Sequence, residues 1–103
     1  MFFFSLTYKK PLTEVEKFLD NHNEYLDKFY KEGKFIFSGR KSPRTGGVIL
    51  CNADNLEEAK NIYYNDPFYK NGIANYDVIE FQPTKFNNTF EQLINKIWEL
   101  ANS

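Results

Sequence analysis

His22 is the only histidine of the chain, so any imidazole chemistry must run through it. It stands among apolar residues at helical spacing, one turn after Phe18 and Leu19. Two readings follow. In one, His22 is a packed residue with a ring nitrogen bonded to a carbonyl. In the other, it lines a cleft and transfers protons, a task suited to an imidazole near neutral pH. Asp66 opens the run Asp66-Pro67-Phe68-Tyr69 and is equally two-sided. An aspartate ahead of a proline is a common helix start, its carboxyl capping the first amides. A carboxyl group beside an imidazole would instead orient the ring and fix its tautomer, as a proton-transfer pair requires. Spacing alone does not bring the two residues together.

Arg40 and Arg44 are the only arginines, and both lie at one turn-rich segment. A guanidinium grips a carboxylate as a fork, so an anionic ligand could dock there; solvated turn arginines are the more ordinary explanation. Ser38 is placed to hydrogen-bond a ligand. It is not a nucleophile of the elbow type, because Ile36-Phe37-Ser38-Gly39-Arg40 lacks the glycines two residues to either side. Gly46-Gly47 has neither the spacing nor the strand-to-helix setting of a phosphate loop and reads as turn chemistry. Cys51, the only cysteine, ends an apolar strand and reads as an inert packed thiol. It can form no internal disulfide, which fits a reducing compartment. One histidine and one cysteine do not make a zinc site, so neither metal nor cofactor is expected.

These residues need elements to hold them. Phe2, Phe4, Leu6 and Tyr8 alternate with Phe3, Ser5 and Thr7, which predicts a strand that Pro11 breaks. Thr13 with Glu16 has the form of a capping box, predicting a helix from there. Val15, Phe18, Leu19, His22, Tyr25, Leu26 and Phe29 make its apolar stripe, and Gly33 a left-handed cap beyond Lys31. Strands are predicted at 35–40 and 48–51, joined as a hairpin through 41–47. Asn55 and Glu58 cap a helix whose inner face is Leu56, Ala59, Ile62 and Tyr63; Asp66-Pro67 stops it. A last strand spans 76–81. Asn88 and Glu91 then cap a helix with Phe90, Leu93, Ile94, Ile97, Trp98 and Ala101 on one face.

The order β-α-β-β-α-β has a natural solution: two right-handed crossovers interleaved into a four-stranded antiparallel sheet, both helices on one side. The fold class is therefore α+β, ferredoxin-like, with an extra C-terminal helix. The second strand sets Ile36 against Phe35 and Phe37, and the third sets Ile49 against Val48 and Leu50. A sheet apolar on both faces needs a second cover, for which a homodimer through the open face is the preferred answer.

With 103 residues the chain fits one such domain, here 1–85, followed by a C-terminal amphipathic extension, 86–103. Eleven Phe and seven Tyr supply a packed core and argue against intrinsic disorder. A net charge of −1 suggests neither a nucleic-acid surface nor a polybasic membrane patch. The N-terminal apolar run is too short for a signal segment, and no stretch approaches a membrane span, so a cytoplasmic protein is expected.

Several short motifs, in order, resemble the YciI-like (YCII-related) family. They are His22-Asn23-Glu24-Tyr25-Leu26, then Glu32-Gly33-Lys34-Phe35 leading to Ser38-Gly39, then Thr45-Gly46-Gly47-Val48-Ile49-Leu50, Asp66-Pro67-Phe68, and Gly72-Ile73-Ala74. The resemblance spans roughly Phe3 to Pro83. It implies a dimeric α+β barrel with a site built on His22 and Asp66; Ser38, Arg40 and Phe68 are the candidate substrate contacts beside that pair. Dehydrochlorination of a hydroxyquinone is associated with one YciI-like member. Many relatives carry an arginine shortly before the histidine, where this chain has Asp20-Asn21, so anion binding at that edge is not implied.

Three functions compete. One is a small metal-independent enzyme doing lyase, isomerase or hydrolase chemistry on a small oxygenated compound through a His22–Asp66 pair. The alternative is a non-catalytic module that binds or senses a small molecule. The third is an interaction domain whose C-terminal helix docks on a partner or builds a higher oligomer. The fold alone does not choose among them.

Overall fold

The first strand sets the frame for everything that follows. In the computed structural model, which describes residues 1–101, β1 (Phe2–Tyr8) is central and pairs antiparallel on both sides. After it come α1 (Leu12–Lys17), α2 (Leu19–Lys31), β2 (Phe35–Arg40), β3 (Gly46–Cys51), α3 (Leu56–Tyr63), α4 (Pro67–Lys70), β4 (Ala74–Glu80) and α5 (Asn88–Ala101). The sheet order is β2-β3-β1-β4, so both halves cross over as the sequence predicts. The α+β, ferredoxin-like architecture is as expected, and the strands extend earlier than expected at β3 and β4.

One face of the sheet carries Phe2, Phe4, Leu6, Ile49, Cys51 and Phe35, all buried against the helices. Val15, Tyr25, Phe29, Ala59, Ile62 and Phe68 meet them from the helical layer. Phe4 is the centre of this packing, with the rings of Phe35, Tyr63 and Tyr76 edge-on to it at 5.7–6.5 Å. Such pairs stabilise beyond their buried area, by about 0.5–1.5 kcal/mol each. Leu56, at the first position of α3, stays exposed rather than joining the inner face. Burial pushes the Cys51 thiol up to about 12, as suits an inert packed cysteine.

The single helix expected from Thr13 is in fact two. Phe18 takes φ −109° and ψ 5°, and its amide reaches back only three residues, to Val15 (3.1 Å). That breaks the α ladder, and α2 starts afresh with the His22 amide on the Phe18 carbonyl (2.9 Å). No capping box forms, because Pro11 rather than Thr13 stands at the N-cap, which leaves Thr13 inside the first turn. At the other end, Gly33 does take the left-handed conformation (φ 71°); Gly33 and Lys34 donate to the Tyr30 and Phe29 carbonyls. Before α5 the capping side chain is Asn87, which accepts from the Thr89 amide, and not Asn88. Asn55 caps α3 as expected, accepting from the Glu58 amide (2.8 Å).

Gly46 and Gly47 are strand residues, which corrects their reading as turn. A Cβ on Gly46 would lie 1.8 Å from the Leu6 carbonyl oxygen, so the glycine serves close backbone approach between β1 and β3.

Strand β2 carries a second correction. Phe35 pairs with Cys51 but Phe37 with Leu50, so a bulge at Ile36 breaks the alternation. Phe35 and Phe37, expected on one face, point to opposite faces. After the bulge Ser38 and Arg40 fall opposite Ile49 and Gly47, on the helical side. Phe37 instead joins a transverse row on the open face, Phe37–Leu50–Phe3–Ile79, crossing all four strands. Phe37 and Ile79 are 48% and 57% exposed. On α5, Leu93 is exposed while Phe90, Ile94 and Ile97 are half-buried; the side chains of Trp98 and Ala101 lie outside the described ones.

Two glycine substitutions test the strand contact. Gly46→Ala should lower unfolding free energy by about 2 kcal/mol or more, since backbone must shift to admit the methyl. Gly39→Ala, which meets nothing within 4 Å, should change it by less than about 0.5 kcal/mol in the same urea titrations.

Candidate active site

α2 and α4 meet over the sheet where their side chains have chemistry to offer. Asp66 caps α4 with Pro67 at the first helical position, and its Oδ1 accepts from the Phe68 amide at 2.9 Å. The same oxygen lies 2.8 Å from His22 Nδ1. Oδ2 accepts from the Tyr76 hydroxyl, which rises from β4. Asp66 is fully buried, while the His22 side chain retains 12% of its exposure. Both readings of Asp66 therefore hold together: it is a helix cap and it is the partner of the histidine.

The hydrogen bonds fix the state of the imidazole. Asp66 acts as acceptor toward all three neighbours, so Nδ1 is the donor in its pair with His22. Nε2 is then the nitrogen left to the cleft. The ring is also held in plane, stacked on Phe68 at 4.0 Å and 5°, with Tyr25 on a second side at 6.0 Å. The phenols of Tyr25 and Tyr76 are held well above their ordinary range, first by burial and further by the nearby Asp66 charge. Both remain protonated; the Tyr76 hydroxyl donates to Asp66, and the buried Tyr25 hydroxyl has no hydrogen-bond partner among the described residues.

In front of His22 lies a cleft of about 300 Å³. Leu19, Leu26, Val48, Ile49 and Phe68 give it apolar walls; Ser38, Arg40, Arg44 and Asn23 supply polar groups. Ser38 is part of a further pair, its Oγ 2.7 Å from the Tyr30 hydroxyl. The site residues expected from the sequence thus converge: His22, Phe68, Ser38, Arg40 and Arg44 line the cleft, and Asp66 stands behind His22. Tyr76 and Tyr30 were missed. The only sequence signal for Tyr76 is its place on the inward face of β4, opposite Leu6, which requires knowing the register. Among the described residues no cluster of three His, Cys, Asp or Glu side chains is gathered.

A four-stranded antiparallel sheet of order β2-β3-β1-β4, with this cleft between helices and hairpin, defines a ferredoxin-like α+β protein. The YCII-related domain matches residues 1–82, and the chain belongs to that family. The uncharacterized protein YjpA of Bacillus subtilis (strain 168) is 32% identical over 83 residues, which is 77% of this chain and 98% of that one. Among solved structures, 5-chloro-2-hydroxyhydroquinone dehydrochlorinase from Burkholderia phenoliruptrix AC1100, in complex with 2,5-dihydroxybenzoquinone, shares the fold. Its TM-score is 0.65 at 21% identity, covering 80% of this chain and 94% of that one. No helix among the described residues is long and apolar enough to cross a membrane.

Replacing Tyr76 with Phe removes one of the three donors to a buried carboxyl group. Stability should fall by about 1–3 kcal/mol, measured by denaturant unfolding. In Asp66→Asn the ¹⁵N shifts of the His22 ring should lose their Nδ1–H pattern and move toward the Nε2–H tautomer that dominates free histidine.

Proposed function

We propose that the cleft is the active site of a small enzyme that transfers a proton to or from a small oxygenated compound through His22. The observation carrying this is the 2.8 Å contact of His22 Nδ1 with buried Asp66, which leaves Nε2 to the cleft. A substrate O–H or C–H acid placed there gives its proton to Nε2. Positive charge then develops on the ring between the Asp66 carboxyl group and the π face of Phe68, both of which favour it. The same ring returns the proton to the product or to a leaving group. Elimination, isomerisation and hydrolysis of an activated molecule all fit this cycle. The dehydrochlorinase that shares the fold supports the elimination form, and its quinone ligand supports a small oxygenated ring as substrate.

A binding module on the same scaffold is the second reading, favoured by the near enclosure of His22 between the Phe68 and Tyr25 rings. One experiment separates the two. A panel of hydroxyquinones and enolisable lactones is followed by NMR for hydrogen–deuterium exchange and halide release. The protein should accelerate exchange of at least one compound, and His22→Gln should lose about 10²–10⁴-fold of that rate while keeping its circular dichroism. Compounds that bind and emerge unexchanged from both proteins would sink the enzyme and leave the module.

The row Phe37–Leu50–Phe3–Ile79, exposed at both its ends, supports a homodimer that buries the open face, with α5 available for further association. Sedimentation should give a dimer for the native chain and a monomer for Phe37→Lys with Ile79→Lys. A monomeric native chain would end this part of the proposal. The single buried Cys51 thiol supports a cytoplasmic setting.

A further inference from the structure

The cleft is lopsided in charge. Arg40 and Arg44 line it beside His22, and among the described residues no aspartate or glutamate does. Arg40 is exposed, whereas Arg44 is mostly covered, with 27% of its side chain accessible. Arg44 has one acidic neighbour, Glu16, at 3.6 Å from Nη1, beyond hydrogen-bond range. Its Nε–H is buried and has no acceptor among the described residues. A buried guanidinium donor without an acceptor is costly, and the cost is removed when an oxygen arrives.

The backbone that carries Arg44 is held in place before any ligand comes. It sits between β2 and β3 in a turn tied by three backbone bonds: Thr45 to Pro43 (2.8 Å), Lys41 to Gly46 (3.0 Å) and Tyr8 to Thr45 (2.9 Å). Two residues on, Gly46 locks β3 against the Leu6 carbonyl. A guanidinium carries its Nε and Nη donors in a planar fork, the geometry that matches a planar carboxylate. Glu16, 60% exposed and beyond hydrogen-bond range, offsets little of the Arg44 charge, so Arg44 and Arg40 both favour an anion in the cleft. Its apolar walls suit the body of the ligand.

We infer that the molecule bound in this cleft is a small carboxylate, its anionic end taken by Arg44 and its ring or carbon body lying between Phe68 and the leucines of α2. The inference rests on the cleft being the ligand site but not on His22 acting as a catalyst. It gives this chain an anion contact from the hairpin, on a different element from α2, where Asp20-Asn21 precede the histidine.

The test uses 2,5-dihydroxybenzoate, its neutral carboxamide and inorganic phosphate as probes, with calorimetry and the ¹⁵N–¹H signals of the two arginine Nε groups. The benzoate should bind at least tenfold tighter than the amide and shift the Arg44 Nε–H resonance. Arg44→Gln should erase that preference, and Arg44→Lys should restore only part of it. Glu16→Gln should strengthen benzoate binding by a few fold at most. His22→Gln should keep the preference for acid over amide whether or not any turnover is lost, which separates this inference from the proton-transfer proposal. Equal binding of acid and amide, or an Arg44 signal unmoved by millimolar benzoate, overturns it. Tighter binding of phosphate than of benzoate overturns the carboxylate assignment.

Discussion

The fully buried carboxyl group of Asp66 is the point on which this structure turns. It takes a backbone amide from α4, a hydroxyl from β4 and a ring nitrogen from α2, so three separately folded pieces share one acceptor. A carboxyl group withdrawn from water is tolerated only when its oxygens are satisfied, and here they are. The constraint works in both directions. The helix cap needs Asp66 where it is, and the cap thereby aims the group that orients His22. Site and fold are stabilised by the same bonds, so the site cannot be loosened without loosening the docking of α2 and α4.

Aromatic packing supplies the rest of the rigidity. The imidazole lies flat on Phe68, and Phe68 is itself buried and edge-on to Tyr8. Behind them Tyr76 stacks on Tyr63 at 4.7 Å and meets Phe4 edge-on. A hydroxyl that must point at Asp66 is thus carried on a ring with little freedom to turn. Such preorganisation is what keeps a proton-transfer pair in register without help from a bound ligand.

Much of the frame was legible in the residues. The alternation in Phe2–Tyr8, the Asn55 cap and the Gly33 terminus each dictated a local structure by short-range physics, and each formed. Thr13 and Glu16 had the right spacing for a cap but lost the N-cap position to Pro11. What local physics could not reach was anything set by register. Tyr76 joins the site through pairing of β4 with β1, and Gly46 is needed because of a carbonyl forty residues earlier in the chain. The meeting of His22 with Asp66 was an implication of family resemblance, since periodicity places each on its helix but not the two helices on each other.

The extra residue at Ile36 has a consequence for how this protein can change. Before it and after it, β2 obeys opposite parity, so Phe35 faces the interior and Phe37 does not, while Ser38 and Arg40 do. Loss of that one residue would leave Phe35, Phe37, Ser38 and Arg40 opposite their present partners and on their present faces, whereas closing the bulge with every residue kept would slip 37–40 by one and exchange the two sets, delivering a bulky ring into the cleft and its polar groups to the outer face. Point substitutions along this strand therefore act on one surface at a time, whereas a one-residue slip of its pairing rewrites both at once. The strand is permissive to replacement and intolerant of slippage.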